Sequence, residues 1–124
     1  MLKLLVMGAE DFSRNTLAAF LDLQEGLSVI GRAENESGAV SLSREKHPDI
    51  VIADISIHKY GGLALTEQIL TQPMPPAVIL LMVTRDNDFR QAALKAGAFD
   101  CLEKSSGIDR LLEAIRAAGS FQVI

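Results

Sequence analysis

A chain of 124 residues, 48% apolar and 23% charged, has the size and composition of one globular domain. Its net charge of −4 excludes a surface that grips a nucleic-acid backbone, and no apolar run approaches the roughly 20 residues that span a bilayer. The single cysteine, Cys101, excludes an internal disulfide and fits a reducing cytoplasm, and the start lacks the basic region and small-residue cleavage site of a signal peptide.

Leu2 to Met7 is an apolar run broken only by Lys3 and ended by Gly8, which predicts a first strand. Leu17, Phe20 and Leu21 recur at three and four residues, the stripe of a helix. Leu27 to Ile30, before Gly31, predicts a second and more peripheral strand. Ala39 to Lys46 predicts a helix stopped at His47-Pro48, because the residue before proline disfavours the α region. Ile50 to Ala53 predicts the third strand, and Gly61-Gly62 marks the loop after Asp54. Leu65, Ile69 and Leu70 form a third helical stripe, which Pro73, Pro75 and Pro76 forbid from continuing.

Val78 to Val83 is the longest β-type run and predicts a central strand buried on both faces. Phe89, Ala92, Ala93 and Ala96 predict a fourth helix closed by Gly97. Cys101-Leu102 predicts a fifth strand, and Ile108, Leu111, Leu112 and Ile115 an amphipathic last helix. Five strand–helix units with short connections predict an α/β fold, a parallel sheet covered on both faces. We read residues 1–118 as one domain and 119–124 as the start of a linker.

Two residues stand at carboxyl ends of predicted strands, where such folds place their chemistry: Asp54 and Lys104. An acid and a lysine there suggest a phosphoryl or ion-pair site, and the two are expected to pair across one cleft. Each has a plainer reading, Asp54 as the cap of the following turn and Lys104 as a solvated strand end. His47 and His58 have no partners at metal-ligand spacing and read as surface residues. No catalytic triad is visible.

Several short pieces carry a likeness when taken in order: Val29-Ile30-Gly31-Arg32-Ala33, Pro48-Asp49-Ile50-Val51-Ile52-Ala53-Asp54, Gly61-Gly62-Leu63, Ala96-Gly97-Ala98, Lys104, and Leu111-Leu112-Glu113-Ala114-Ile115. The chain resembles the receiver domains of two-component response regulators from Leu2 to about Ala118, most of all those that precede a LuxR/NarL-type helix-turn-helix. The resemblance implies a flavodoxin-like (βα)5 fold with a five-stranded parallel sheet of order 2-1-3-4-5 and helices on both faces. It implies a cytoplasmic role in phosphorelay signal transduction and transcription regulation. The partners it implies are a histidine kinase, a C-terminal DNA-binding output domain outside this chain, and a homodimer as one option. No direct nucleic-acid or membrane partner is implied.

Receivers move a phosphoryl group onto an aspartate, a reaction that asks for positioning and charge neutralisation. By resemblance Asp54 is the phosphoacceptor, and Lys104 contacts a phosphoryl oxygen. The family's two adjacent acids after the first strand hold Mg²⁺ through oxygen ligands. An ungapped alignment puts Gly8 and Ala9 there, with Glu10 and Asp11 following. Those acids are either favoured by the dipole of the first helix, or they reach back to hold a metal together with Asp54. The family's Ser/Thr falls on Met82, while Thr84 shares that face if the strand continues. Its rotating aromatic falls on Cys101, which reads most simply as a small buried apolar residue. Met82 and Cys101 thus occupy both switch positions.

The reading that results is a non-enzymatic, atypical receiver that binds Mg²⁺ weakly and at most accepts a phosphoryl group at Asp54. Two alternatives stand beside it. One is a fully competent phospho-Asp receiver using displaced Glu10 and Thr84. The other is a flavodoxin-like module that binds a small ligand in a pocket opened by Gly8, Ala9 and Cys101. The family's usual output surface, the fourth helix, fifth strand and fifth helix, would offer Arg90, Gln91, Arg110 and Arg116 as exposed residues.

Overall fold

Runs rich in Leu, Val and Ile alternate with helices, three of which begin at side-chain caps, and the computed structural model, which describes residues 1–56 and 59–122, arranges them as five strand–helix units. They are β1 (Leu2–Met7), α1 (Asp11–Asp22), β2 (Leu27–Ala33), α2 (Glu36–Lys46), β3 (Ile50–Asp54) and α3 (Lys59–Leu70). Then come β4 (Ala77–Met82), α4 (Asn87–Lys95), β5 (Asp100–Glu103), a short 3-10 turn (Lys104–Ser106) and α5 (Ile108–Gln122). All strand pairs are parallel and the order is β2-β1-β3-β4-β5. This is the flavodoxin-like arrangement that the resemblance implies. His58 lies outside the described residues, and His47 is exposed. No helix among the described residues is long and apolar enough to cross a membrane.

The strands' two-residue alternation divides the core into two layers. Leu5, Met7, Val51, Ala53, Leu80 and Cys101 pack with side chains of α2, α3 and α4. Leu4, Val6, Ile50, Ile52, Leu81 and Leu102 pack with Ala18 and Leu21 of α1 and with Leu111, Ala114 and Ile115 of α5. Asp54 follows Ile50 and Ile52 in this alternation, so it belongs to the α1/α5 side.

The elements depart from the sequence expectations at their ends. β2 runs to Ala33 rather than Ile30, with a register shift between Leu4 and Leu5 of its neighbour. α2 begins at Glu36, three residues early, because the Asn35 side chain accepts from the Gly38 amide at 2.8 Å. It stops at His47, which adopts a left-handed conformation (φ 52°) before Pro48. Gly97 closes α4 with φ 110°, and a Cβ there would come within 2.3 Å of Leu70 Cδ1.

β4 stops at Met82, and Val83 is 57% exposed, so the apolar run outlasts the strand. α5 continues through Gln122, past the linker boundary expected after residue 118. Gly119 lets it do so, since a Cβ there would lie 2.5 Å from Leu2 Cδ1 at the start of β1.

Candidate functional site

Asp54 is the last residue of β3, and Lys104 opens the turn after β5. β4 alone separates those strands, so their carboxyl ends are neighbours. Lys104 Nζ donates to Asp54 Oδ2 at 2.7 Å, with the two side chains 37% and 16% exposed. Asp54 Oδ1 accepts from the Ser56 amide at 3.0 Å and from the Ser56 hydroxyl. Partial burial pushes the Asp54 pKa up and is the largest single influence. The hydrogen bonds from Lys104 and Ser56 together outweigh it, and the carboxyl sits below its ordinary value. The expected pairing of the two residues is therefore present, and Ser56 joins them.

The end of β1 is built differently. Gly8 is buried and Ala9 exposed, and neither offers a side-chain oxygen. A Cβ added at Gly8 would lie 3.6 Å from Asp54 Cβ and 3.4 Å from Arg14 Cβ, both ordinary contacts. Position 8 thus faces Asp54 directly. Glu10 caps α1, its carboxylate accepting from Phe12 N at 3.1 Å and Ser13 N at 2.6 Å. The Ser13 and Phe12 hydrogen bonds hold its pKa below the usual range, with a smaller contribution from the charge of Lys104. Asp11 pairs with Arg14 Nη2 at 2.8 Å, while Arg14 Nη1 donates to the Gly8 carbonyl at 2.8 Å.

Both acids thus make contacts with α1, Glu10 with its first amides and Asp11 with Arg14. No group of three His, Cys, Asp or Glu among the described residues is placed to hold a metal ion. Mg²⁺ takes oxygen ligands in a near-octahedral shell, and Asp54 is the one carboxylate at this strand end that neither caps α1 nor pairs with Arg14.

Thr84 does not continue the strand. β4 ends at Met82, so Thr84 lies past the strand, exposed and without a hydrogen bond among the described residues. Met82 itself is buried and contacts Cys101, with Sδ and Sγ 3.8 Å apart. Burial pushes the Cys101 thiol up to about 11, which leaves it protonated and unreactive at neutral pH. The glycine–alanine–cysteine pocket does not form: Cys101 lies on the α4 side of the sheet, while Gly8 is packed against Arg14 and Asp54.

The family profile of the response regulator receiver domain matches residues 4–116. The chain belongs to this family. It is 31% identical to the response regulator GacA of Pseudomonas aeruginosa over 94% of this chain and 54% of that protein. It is 34% identical to the transcriptional regulatory protein LiaR of Bacillus subtilis over 95% of this chain and 56% of that protein. The chain therefore spans about half the length of these curated relatives. Among solved structures it is similar to a LuxR-family two-component response regulator from Aurantimonas sp. SI85-9A1, with a TM-score of 0.87 and 25% identity over 94% of this chain and 84% of that one. It is likewise a response-regulator receiver domain of two-component signalling.

Two features of this receiver escaped the sequence reading. Lys59, at the start of α3, pairs with Asp86, whose other oxygen caps α4 by accepting from Phe89 N at 3.0 Å. Lys59 Nζ also lies 5.5 Å from the Phe89 ring centroid, so one lysine ties α3 to the start of α4. The pair is 27 residues apart and leaves no local signal.

The second feature is a correction on the α4–β5–α5 face. Arg90 and Arg110 are not free there, because Nη2 of each lies 3.0 Å from a separate oxygen of Asp100. Arg90 Nε also donates to the Cys101 carbonyl at 3.2 Å. Gln91 and Arg116 are exposed, as expected.

Proposed function

We propose that this domain is an atypical receiver, in which Asp54 is the phosphoacceptor position and Lys104, not a metal, is the cation that answers its charge. One observation carries this reading: position 8 faces Asp54 with no side chain, while Glu10 and Asp11 are held by the α1 amides and by Arg14. A dianionic phosphodonor would approach a carboxylate whose single cationic partner among the described residues, Lys104, is already in contact with it.

At an effective dielectric near 20, two unit charges about 4 Å apart interact by about 4 kcal/mol. Losing one such interaction in the transition state is worth about a thousandfold in rate. Phosphorylation of Asp54 is thus slow, and Mg²⁺ binding weak. Met82 and Cys101, lacking a hydroxyl and a rotating ring, would pass little of any phosphorylation on to the α4–β5–α5 face.

The same reading has a histidine kinase as the donor where phosphorylation occurs. A helix-turn-helix output, fused or on a partner, does the DNA binding, with the receiver, α5 included, in the cytoplasm and a homodimer as an accessible state. The length of the relatives, about twice that of the matched region, supports an output domain beyond this chain.

The test is acetyl phosphate with Mg²⁺, followed by intact mass and amide spectra, on the unchanged chain and on Asp54→Asn. We expect little adduct and small shifts around Phe89 to Ala96. A rapid, Asp54-dependent adduct with large shifts along α4 and α5 overturns the reading.

A further inference from the structure

The α1/α5 side of the sheet is incompletely covered beside Asp54. A cleft of about 510 Å³ opens there between the two helices. Its floor is Leu81 and Leu102, and its walls include Leu17 and Phe20 from α1 and Ile108 from α5. The cause lies in how α1 sits. Arg14, Ala18 and Leu21 make its buried face, which turns Phe20 and the half-buried Leu17 sideways toward α5. At its mouth Phe12 is 76% exposed, and Phe20 and Ile108 are 37% and 38% exposed. Volume, apolar walls and a few converging polar groups are the attributes of a small-molecule cleft.

The polar end restricts what can enter. Both oxygens of Asp54 already accept hydrogen bonds, one from Lys104 and the other from Ser56. An ammonium has three N–H donors, and Lys104 spends one on Asp54. Lys104 therefore keeps free donor capacity there, and the Glu103 carboxylate and the Thr16 hydroxyl also line the cleft. An anionic head would meet the ionised Asp54, and a cationic head would meet Lys104. An uncharged acceptor takes a hydrogen bond from Lys104 without either repulsion.

We propose that the cleft between α1 and α5 binds a small uncharged amphiphile, its apolar body over Leu81 and Leu102 and a carbonyl or amide head accepting from Lys104. Such a ligand would give the domain an input that needs neither Mg²⁺ nor a phosphoryl group. This inference does not rest on the atypical reading of Asp54, since it is tested on unphosphorylated protein without metal.

The experiment uses three probes that share one body: phenylbutyramide, phenylbutyrate and phenylbutylamine. Each is titrated into the unchanged chain while methyl and amide spectra are recorded. The amide is expected to shift Leu17, Leu81, Ile108 and Leu111. It should bind about tenfold tighter than either charged probe, a factor equal to about 1.4 kcal/mol. Lys104→Met should remove that preference while leaving weak binding of the body.

Thr16→Trp, on an exposed helical position, should fill the cleft and abolish the shifts, with circular dichroism confirming that the variant folds. The proposal is overturned if none of the probes shifts cleft residues, if the charged probes bind as tightly as the amide, or if shifts persist in Thr16→Trp. Sedimentation showing that a second copy occupies this face, in a dimer that Thr16→Trp dissociates and the amide cannot, also overturns it.

Discussion

The strand ends that meet at one edge of this receiver's sheet have been treated differently. At the ends of β3 and β5 an acid and a lysine touch at 2.7 Å, held by a serine and by strand order. At the end of β1, hydrogen-bonded alongside β3, a glycine and an alanine stand where the family resemblance calls for acids. The sheet beneath both is the same packed Leu, Val and Ile, so fold and chemistry are separable here. Burial of the strands sets where side chains sit, and only the terminal residue of each strand decides what the cleft can do.

The largest effect should come from the buried cation that holds the β1 end in place. Arg14→Met removes the donors to the Gly8 carbonyl and to Asp11 while keeping the apolar stem. Leaving a buried carbonyl unpaired costs about 1–3 kcal/mol, to be read from urea unfolding. A cost near zero would mean that the β1 end needs no such anchor.

Making the two ends alike is the next test. Gly8→Asp with Ala9→Asp should raise Mg²⁺ affinity by about tenfold or more, roughly 1.4 kcal/mol, in calorimetry. The space is available, since a Cβ at position 8 meets only ordinary contacts. An unchanged affinity would show that something other than the missing carboxylates sets metal binding.

A smaller effect separates the ends by pH. The folded Asp54 carboxyl titrates below its ordinary value of 3.8, so its pairing stabilises the fold fully above that value. The contribution disappears as pH falls through the lower folded value. Lys104→Met should therefore lower stability at neutral pH, with the gap from the unchanged chain closing below about pH 4. A gap that stays constant into acid would argue against the ion pair as its source. The smallest effect is local: Glu10→Gln weakens the cap of α1, and hydrogen exchange should speed up at the Phe12 and Ser13 amides while the global stability moves little.

Much of this was written locally. Asp54 and Lys104 were legible because each ends an apolar run, and the five units because strand and helix periods alternate without interruption. The absence of acids at Gly8 and Ala9 was equally plain, since it depends only on position just after β1.

Glu10 caps α1 through amides two and three residues on, a local role, whereas the partner of Asp11 was hidden: Arg14 is buried, and a charged residue on an amphipathic helix reads locally as solvated. The Lys59–Asp86 tie and the two arginines on Asp100 join residues of different elements, and no periodicity records such partners. The cleft beside Asp54 is likewise invisible in the chain. It exists because Phe20 and Ile108, each an ordinary member of a helical stripe, are set apart by the way α1 and α5 lie on the sheet. Residue order sets which side chains share a face, and only packing in three dimensions sets the distance between two faces.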